Sequence, residues 1–320
     1  MRPKLSTANV TTTPSLQRLR SPALIVSLLL LFGACSGSIE VRTGPSAATP
    51  SPSPEPKPRR LGSPTYDVAA AIPRHPAKLA ADLRTTTRDL YDAIERWRAS
   101  GTGPGPDERA VQLRAMRQQR IYRVLSGNRR LYAQVRKLLP RRLQALSDNT
   151  VRAANELTTL VTPLDEPPDW KIYKPAPAKE LLRYYRKGQR RFDIPWQVLA
   201  SLNFVESRFG RILGPSSAGA MGPMQFMPAT WAAYGNGGDI NDSHDSILGA
   251  ARYLAASGAP ERMKDALWAY NHSDNYVRAI SIYARQMMKH DRAFYAYYHW
   301  QVYVRTKAGD VQLSGPGADR

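Results

Sequence analysis

Glu206 stands in the stretch NFVESRFGR, residues 203–211, among Phe204, Val205 and Phe209. A carboxyl group with apolar neighbours is desolvated more severely as an anion than as an acid, so its pKa rises. A place in the last turn of a helix adds to the effect, because the negative end of the helix dipole opposes an anion. Each contribution is worth about 1 kcal/mol, and together they favour the protonated form near neutral pH. A neutral carboxyl beside a cleft is a general acid of the kind that protonates the oxygen leaving a glycosidic bond. The plainer reading of the same residues is an acid at the rim of an apolar stripe, ion-paired with Arg208 or Arg211.

The next stretch, GPSSAGAMGPMQFMPATWAAYG, sets Gly214, Gly219, Gly222 and Gly235 around Met221, Met224, Gln225 and Met227. Glycines at that density let a ligand lie against backbone. A groove of Met, Trp, Tyr and amides suits a sugar chain, which presents apolar faces and hydroxyls in turn. The alternative is a glycine-rich loop over a methionine-lined core.

Helices must carry these groups. DIPWQVLASLNFVES opens on Asp193 and Pro195, a helix-start signal, and Val198, Leu199, Leu202 and Val205 form an apolar stripe. Glu206 leaves from the face of Leu199 and Leu202, and Gly210 is the natural terminator. Before it, PAKELLRYYRKGQRRF reads as a helix with Leu181, Leu182 and Tyr185 inward. After it, Pro228 opens a short helix closed by Gly235, and Asp242 or Ser243 starts another. The terminal RAFYAYYHWQVYVRT alternates Trp300, Val302 and Val304 against Tyr303 and Arg305; with KAGD as a turn and VQL beyond, it predicts a small β-hairpin.

Upstream, Leu83, Leu90, Ile94 and Trp97 recur at helical spacing until GTGPGPDE breaks the chain. The following run, RAVQLRAMRQQRIYRVLSGNRRLYAQVRKLLPRRLQAL, contains no acid. Leu113, Met116, Ile121 and Val124 share one side, leaving Arg114, Arg117, Arg120 and Arg123 elsewhere. Such a run repels itself, which predicts contact with an anionic envelope polymer or lipid headgroups; the alternative, and the better reading of any single arginine, is a solvated charged face.

The whole chain has 320 residues and a net charge of +20. That balance asks for anionic surroundings, nucleic acid or a charged envelope. The N-terminus decides between them. Arg2, Lys4, Arg18 and Arg20 precede ALIVSLLLLFGAC, which ends in Cys35, the one cysteine. A positive region, a short apolar core and small residues make a secretory signal, too short to span a membrane. LFGAC resembles a lipoprotein signal-peptidase box, with Phe32 where leucine is usual, so Cys35 is the expected lipidated residue, a plain signal or an uncleaved anchor being the alternatives. Export excludes nucleic acid as a partner. One cysteine also excludes internal disulfides and a Cys-rich zinc site. The expected organisation is a signal peptide over 1–34, a lipidated Pro/Ser-rich stalk over 35–66, a basic helical region over 67–168, a catalytic domain over 169–306 and a tail over 307–320.

ES at the end of a helix, SSAGAMGPMQFMPATW and AYNHSDNY, in that order, resemble the lytic transglycosylases that cleave bacterial peptidoglycan, above all the B-type branch. The resemblance covers roughly residues 177 to 306. It implies a mainly α, goose-type lysozyme-like fold with Glu206 as the single acid/base. Ser216, Gln225, Tyr270, Asn271 and Tyr276 fall on the family's substrate-binding positions. Pro223 stands at a variable position where many relatives carry Leu or Tyr. One carboxyl suffices in such enzymes, because the muramyl 6-hydroxyl replaces water and closes a 1,6-anhydro ring. The alternatives are a lysozyme-like hydrolase and a non-catalytic wall-binding lipoprotein. No cofactor or metal is expected. GGDINDSHDS lacks the sixth-position glycine (His244) and the twelfth-position glutamate (Ala250) of a calcium loop. His272 reads as structural or groove-lining.

Overall fold

A computed structural model describes residues 70–315, so the predicted signal peptide, Cys35 and the stalk lie outside the described residues. Among the described residues the protein is mainly helical. The upstream helices are α1 (Pro76–Ala99), α2 (Pro106–Ser126), α3 (Arg129–Lys137) and α4 (Arg141–Thr158). A strap without regular structure then runs to α5 (Ala178–Phe192) and α6 (Trp196–Ser207). After the glycine-rich loop come α7 (Pro228–Tyr234), α8 (Ser243–Ala256), α9 (Met263–Tyr270), α10 (Asp274–Lys289) and α11 (Arg292–Tyr298). An antiparallel hairpin of β1 (Tyr303–Thr306) and β2 (Gly309–Gln312) follows.

The helical spacing of the first segment is realised. Leu83, Leu90, Ile94 and Trp97 are buried along α1, which packs on α2. Residues on both sides of the strap share one apolar cluster, because α4 lies along α10, which also packs against α6. Gly188 permits close approach of α5 to its neighbours. A Cβ there would lie 2.7 Å from Leu199 Cδ1 and 3.3 Å from Ala251 Cβ, tighter than packed atoms tolerate. The aromatic terminal segment is core as well. Phe204 of α6 stacks on Tyr297 at 5.0 Å and meets Tyr283 edge-on at 5.0 Å, each contact adding about 1 kcal/mol beyond burial.

Several expectations change. α6 is not amphipathic: every residue from Val198 to Ser207 is buried. Asp193 does not start it but ends α5 in a left-handed conformation, and the first amide of α6, on Trp196, donates to the Gln189 side chain at 3.0 Å. The helix also stops before Gly210, at Arg208, where Arg208, Phe209 and Gly210 successively take φ of 54°, 63° and 86°. Arg208 adopts this costly backbone while its guanidinium donates to the Phe204 carbonyl at 2.7 Å and lies over the Phe204 ring at 4.4 Å.

The arginines of α2 are engaged within the fold rather than ranged on a free face. Arg117 forms a bidentate pair with Asp82 of α1 at 3.0 and 2.6 Å. Arg117 and Arg120 also donate to the Ala70 carbonyl, each at 3.2 Å. Arg123 pairs with Asp310 at 2.6 Å, and Arg114 donates to the Ala110 carbonyl at 3.0 Å. Acids distant in sequence supply the counter-charge that the run itself lacks. No described helix is long and apolar enough to cross a membrane.

Candidate active site

Glu206 lies one residue from the end of α6 and is only 7% exposed. Its Oε1 accepts a hydrogen bond from the Tyr276 hydroxyl of α10. Burial pushes its pKa up to about 8, and the Tyr276 hydrogen bond offsets part of that rise. The carboxyl is therefore mostly neutral at pH 7. Neither Arg208 nor Arg211 pairs with it: both turn back to backbone carbonyls, of Phe204 at 2.7 Å and of Arg208 at 3.1 Å.

The carboxyl opens on a cleft of about 320 Å³, lined also by Ser216, Gln225, Ile212 and residues of the strap. That volume falls at the lower end of ligand-sized sites. The facing loop is fixed by its own backbone. Met221 and Phe226 exchange two hydrogen bonds of 2.9 Å across a tight turn in which Gly222 has φ of 74° and Gln225 of 49°. Gln225 seals the turn through its side-chain amide, which donates to the Gly222 carbonyl at 3.0 Å. Two α6 side chains, Asn203 and Ser207, donate to the Pro223 carbonyl at 2.8 and 2.6 Å. Pro223 thus contributes an acceptor that ties the loop to the helix bearing Glu206.

The residues matched to substrate-binding positions separate into two groups. Ser216 and Gln225 line the cleft beside Glu206. The Ser216 hydroxyl accepts from the amides of Ala218 and Ala220 at 3.3 and 3.1 Å, so it also shapes its own turn. Tyr270, Asn271 and Tyr276 are buried and do not line the cleft. The Tyr270 hydroxyl donates to the Met224 carbonyl at 2.7 Å, a second tie on the loop. Asn271 ends α9, and the adjacent His272 lies against Trp268 with ring centroids 4.4 Å apart.

The strap adds residues that no motif singles out: Asp169, Trp170, Lys171 and Tyr173 line the same cleft. The Tyr173 amide holds them there by donating to the Arg211 carbonyl at 2.9 Å. The aromatic pair in DWKIY was the signal, masked by the prolines around it. Of the other acids, Asp242 caps α8 by accepting from the Asp245 amide at 2.9 Å, and Asp245 and Asp239 accept from backbone amides at 3.1 and 2.8 Å. Asp242, His244 and Asp245 bring ligand atoms within 4.8 Å of one another, drawn together by the capping hydrogen bond and by a 2.9 Å contact of His244 Nδ1 with Asp245 Oδ1.

Residues 183–290 match the transglycosylase SLT domain. The SLT segment holds Glu206 and all five matched positions, whereas the strap that walls the cleft lies before it. The membrane-bound lytic murein transglycosylase F of Thiobacillus denitrificans is 30% identical over 112 residues, which cover 32% of this chain. The match spans 23% of that relative's length. No solved structure matches the chain.

Proposed function

We propose that the protein is a peptidoglycan lytic transglycosylase, nearest the B-type branch. It would cleave between N-acetylmuramic acid and N-acetylglucosamine, leaving 1,6-anhydromuramic ends, in cell-wall remodelling. The observation that carries this reading is the buried Glu206 carboxyl, bonded to the Tyr276 hydroxyl and open to a cleft. In the first step Glu206 protonates the glycosidic oxygen and the bond to the muramyl anomeric carbon breaks. The muramyl N-acetyl oxygen stabilises the positive centre. The Glu206 anion, held by the Tyr276 hydroxyl, then removes the proton of the 6-hydroxyl, whose oxygen bonds to the anomeric carbon. No water is consumed and Glu206 ends protonated, as it began. Tyr270, Asn271 and Tyr276 act as positioning residues, and Ser216 and Gln225 meet the sugar.

One observation favours a second reading. Asp169 lines the same cleft, and a second carboxylate is what a lysozyme-like hydrolase needs to activate water. Digestion of purified peptidoglycan and mass analysis of the products separates the two. Transglycosylation gives anhydro ends, one water lighter than the reducing ends of hydrolysis. Intact wall would leave a non-catalytic binding protein.

We further propose that the protein is exported and held at the membrane by lipidated Cys35, facing the wall. The relative's description as membrane-bound agrees with this placement. Mass spectrometry of the mature N-terminus tests it: a diacylated Cys35 supports the anchor, and an unmodified N-terminus elsewhere refutes it. Wall contact would fall to Arg129, Arg130, Lys137, Arg141 and Arg142, exposed on α3 and the start of α4, rather than to the α2 arginines.

A further inference from the structure

A second cavity, of about 130 Å³, shares Trp170 with the Glu206 cleft. α2, α4, α10 and the hairpin wall it, and apart from Val205, Arg208 and Tyr283 its lining lies outside the SLT segment. The volume is well below the roughly 300 Å³ at which drug-sized sites begin, so it suits a side branch rather than a sugar chain.

Its charge is unbalanced. Arg123, Arg208 and Arg305 line it together with a single acid, Asp310. Arg123 and Arg305 both engage that carboxylate, at 2.6 and 3.2 Å. Arg208 pairs with no carboxylate among the described residues; the Phe204 carbonyl and ring are its contacts. Burial lowers the Arg208 pKa to about 10, which leaves it charged at neutral pH. The buried Nε of Arg123 and Nε1 of Trp300 also lack hydrogen-bond partners. Donors and positive charge withdrawn from water in this way are costly unless an anion completes them, and guanidinium groups match a planar carboxylate best.

We propose that this cavity binds a carboxylate of the short acidic peptide that branches from the glycan strand, while the strand itself lies across Glu206. The proposal rests on peptidoglycan as the substrate. The shared wall at Trp170 sets the two sites side by side, as a branched ligand requires.

Calorimetric titration of the full chain with N-acetyl-alanyl-glutamate, its uncharged diamide and inorganic phosphate tests the cavity directly. The dipeptide should bind at least about tenfold more tightly than the diamide, as expected for a charge-assisted hydrogen bond. Arg305→Gln should weaken dipeptide binding by about tenfold. Thr158→Glu, which sets a negative charge on the lining, should abolish it with the thermal midpoint retained. Equal binding of acid and diamide, or no effect of either variant, would overturn the proposal. Phosphate binding as tight as the dipeptide would overturn the peptide assignment in favour of a general anion pocket. In cleavage assays the wild type should prefer strands that carry peptides over strands stripped of them, and Arg305→Gln should erase that preference. If the wild type cleaves neither strand, the transglycosylase reading fails while the titrations still decide the cavity.

Discussion

Burial and the Tyr276 hydrogen bond act in opposite directions on Glu206, and burial prevails, placing its pKa at about 8. Activity that needs the protonated acid should therefore fall as pH rises through that value. Glu206→Gln keeps shape but supplies no proton, so turnover should drop at least ~100-fold, measured on wall digests of folded variant. Its stability should respond to pH with a definite sign. Below the unfolded pKa of Glu206 both states carry the proton and the group contributes nothing adverse. Between that value and about 8 the unfolded chain ionises first, and wild-type stability falls as pH rises. The Gln variant should therefore gain thermal stability over wild type at pH 8 and not at pH 4. Tyr276→Phe removes the group that lowers the Glu206 pKa, so the alkaline limb of the activity profile should move upward. Turnover should also fall, because the glutamate anion loses its donor; an unmoved limb would show that the phenol does not act on Glu206.

The glycine-rich loop is held by its backbone carbonyls as well as by the buried Met224 and Phe226 side chains. Gly222 shows the constraint: at φ of 74°, a Cβ would lie 2.0 Å from the Ile240 carbonyl oxygen. Gly222→Ala should cost about 3 kcal/mol or more, read as a lower thermal midpoint with loss of cleavage. Sequence patterning foretold much at this scale. The spacing of Leu83, Leu90, Ile94 and Trp97, the Pro228 start and the terminal hairpin all rest on local periodicity and turn chemistry, which persist in the fold. The misreadings arose where tertiary contacts decide. α6 was read as a stripe, but α10 and the aromatics of α11 cover faces that no periodicity within α6 reports. Arg208, not Gly210, is the terminator, a left-handed arginine whose guanidinium reaches back to the carbonyl and ring of Phe204. At the site, the apolar neighbours of Glu206 foretell its burial, but they leave open a pairing with Arg208 or Arg211, which the fold turns to backbone carbonyls instead. The strap was not legible, since 169–173 is brought to the cleft by the backbone pairing of Tyr173 with Arg211 and, upstream, of Leu164 with Arg305 and Lys307 of the hairpin.

Across the whole molecule, a net charge of +20 resolves into arginines that hold elements together and arginines that face solvent. Arg117→Gln breaks a bidentate pair whose side chains are 12% and 15% exposed, and should destabilise the fold by about 2–3 kcal/mol. Arg129→Gln with Arg130→Gln should change stability by less than ~1 kcal/mol in denaturant titrations. The same double change should weaken retention on whole wall, and rising salt should do likewise, since charges are screened over about 8 Å at physiological ionic strength. Burial of α6 on every side has a further consequence, in the time domain. No local fluctuation can bring its amides to water, so exchange of the hydrogens at 199–205 requires opening of the whole core. The hairpin, on its small satellite cluster, can open without it. Mild denaturant should therefore speed deuterium uptake at 303–312 while the amides beneath Glu206 stay protected. The Glu206 carboxyl would keep its place for as long as the molecule remains folded.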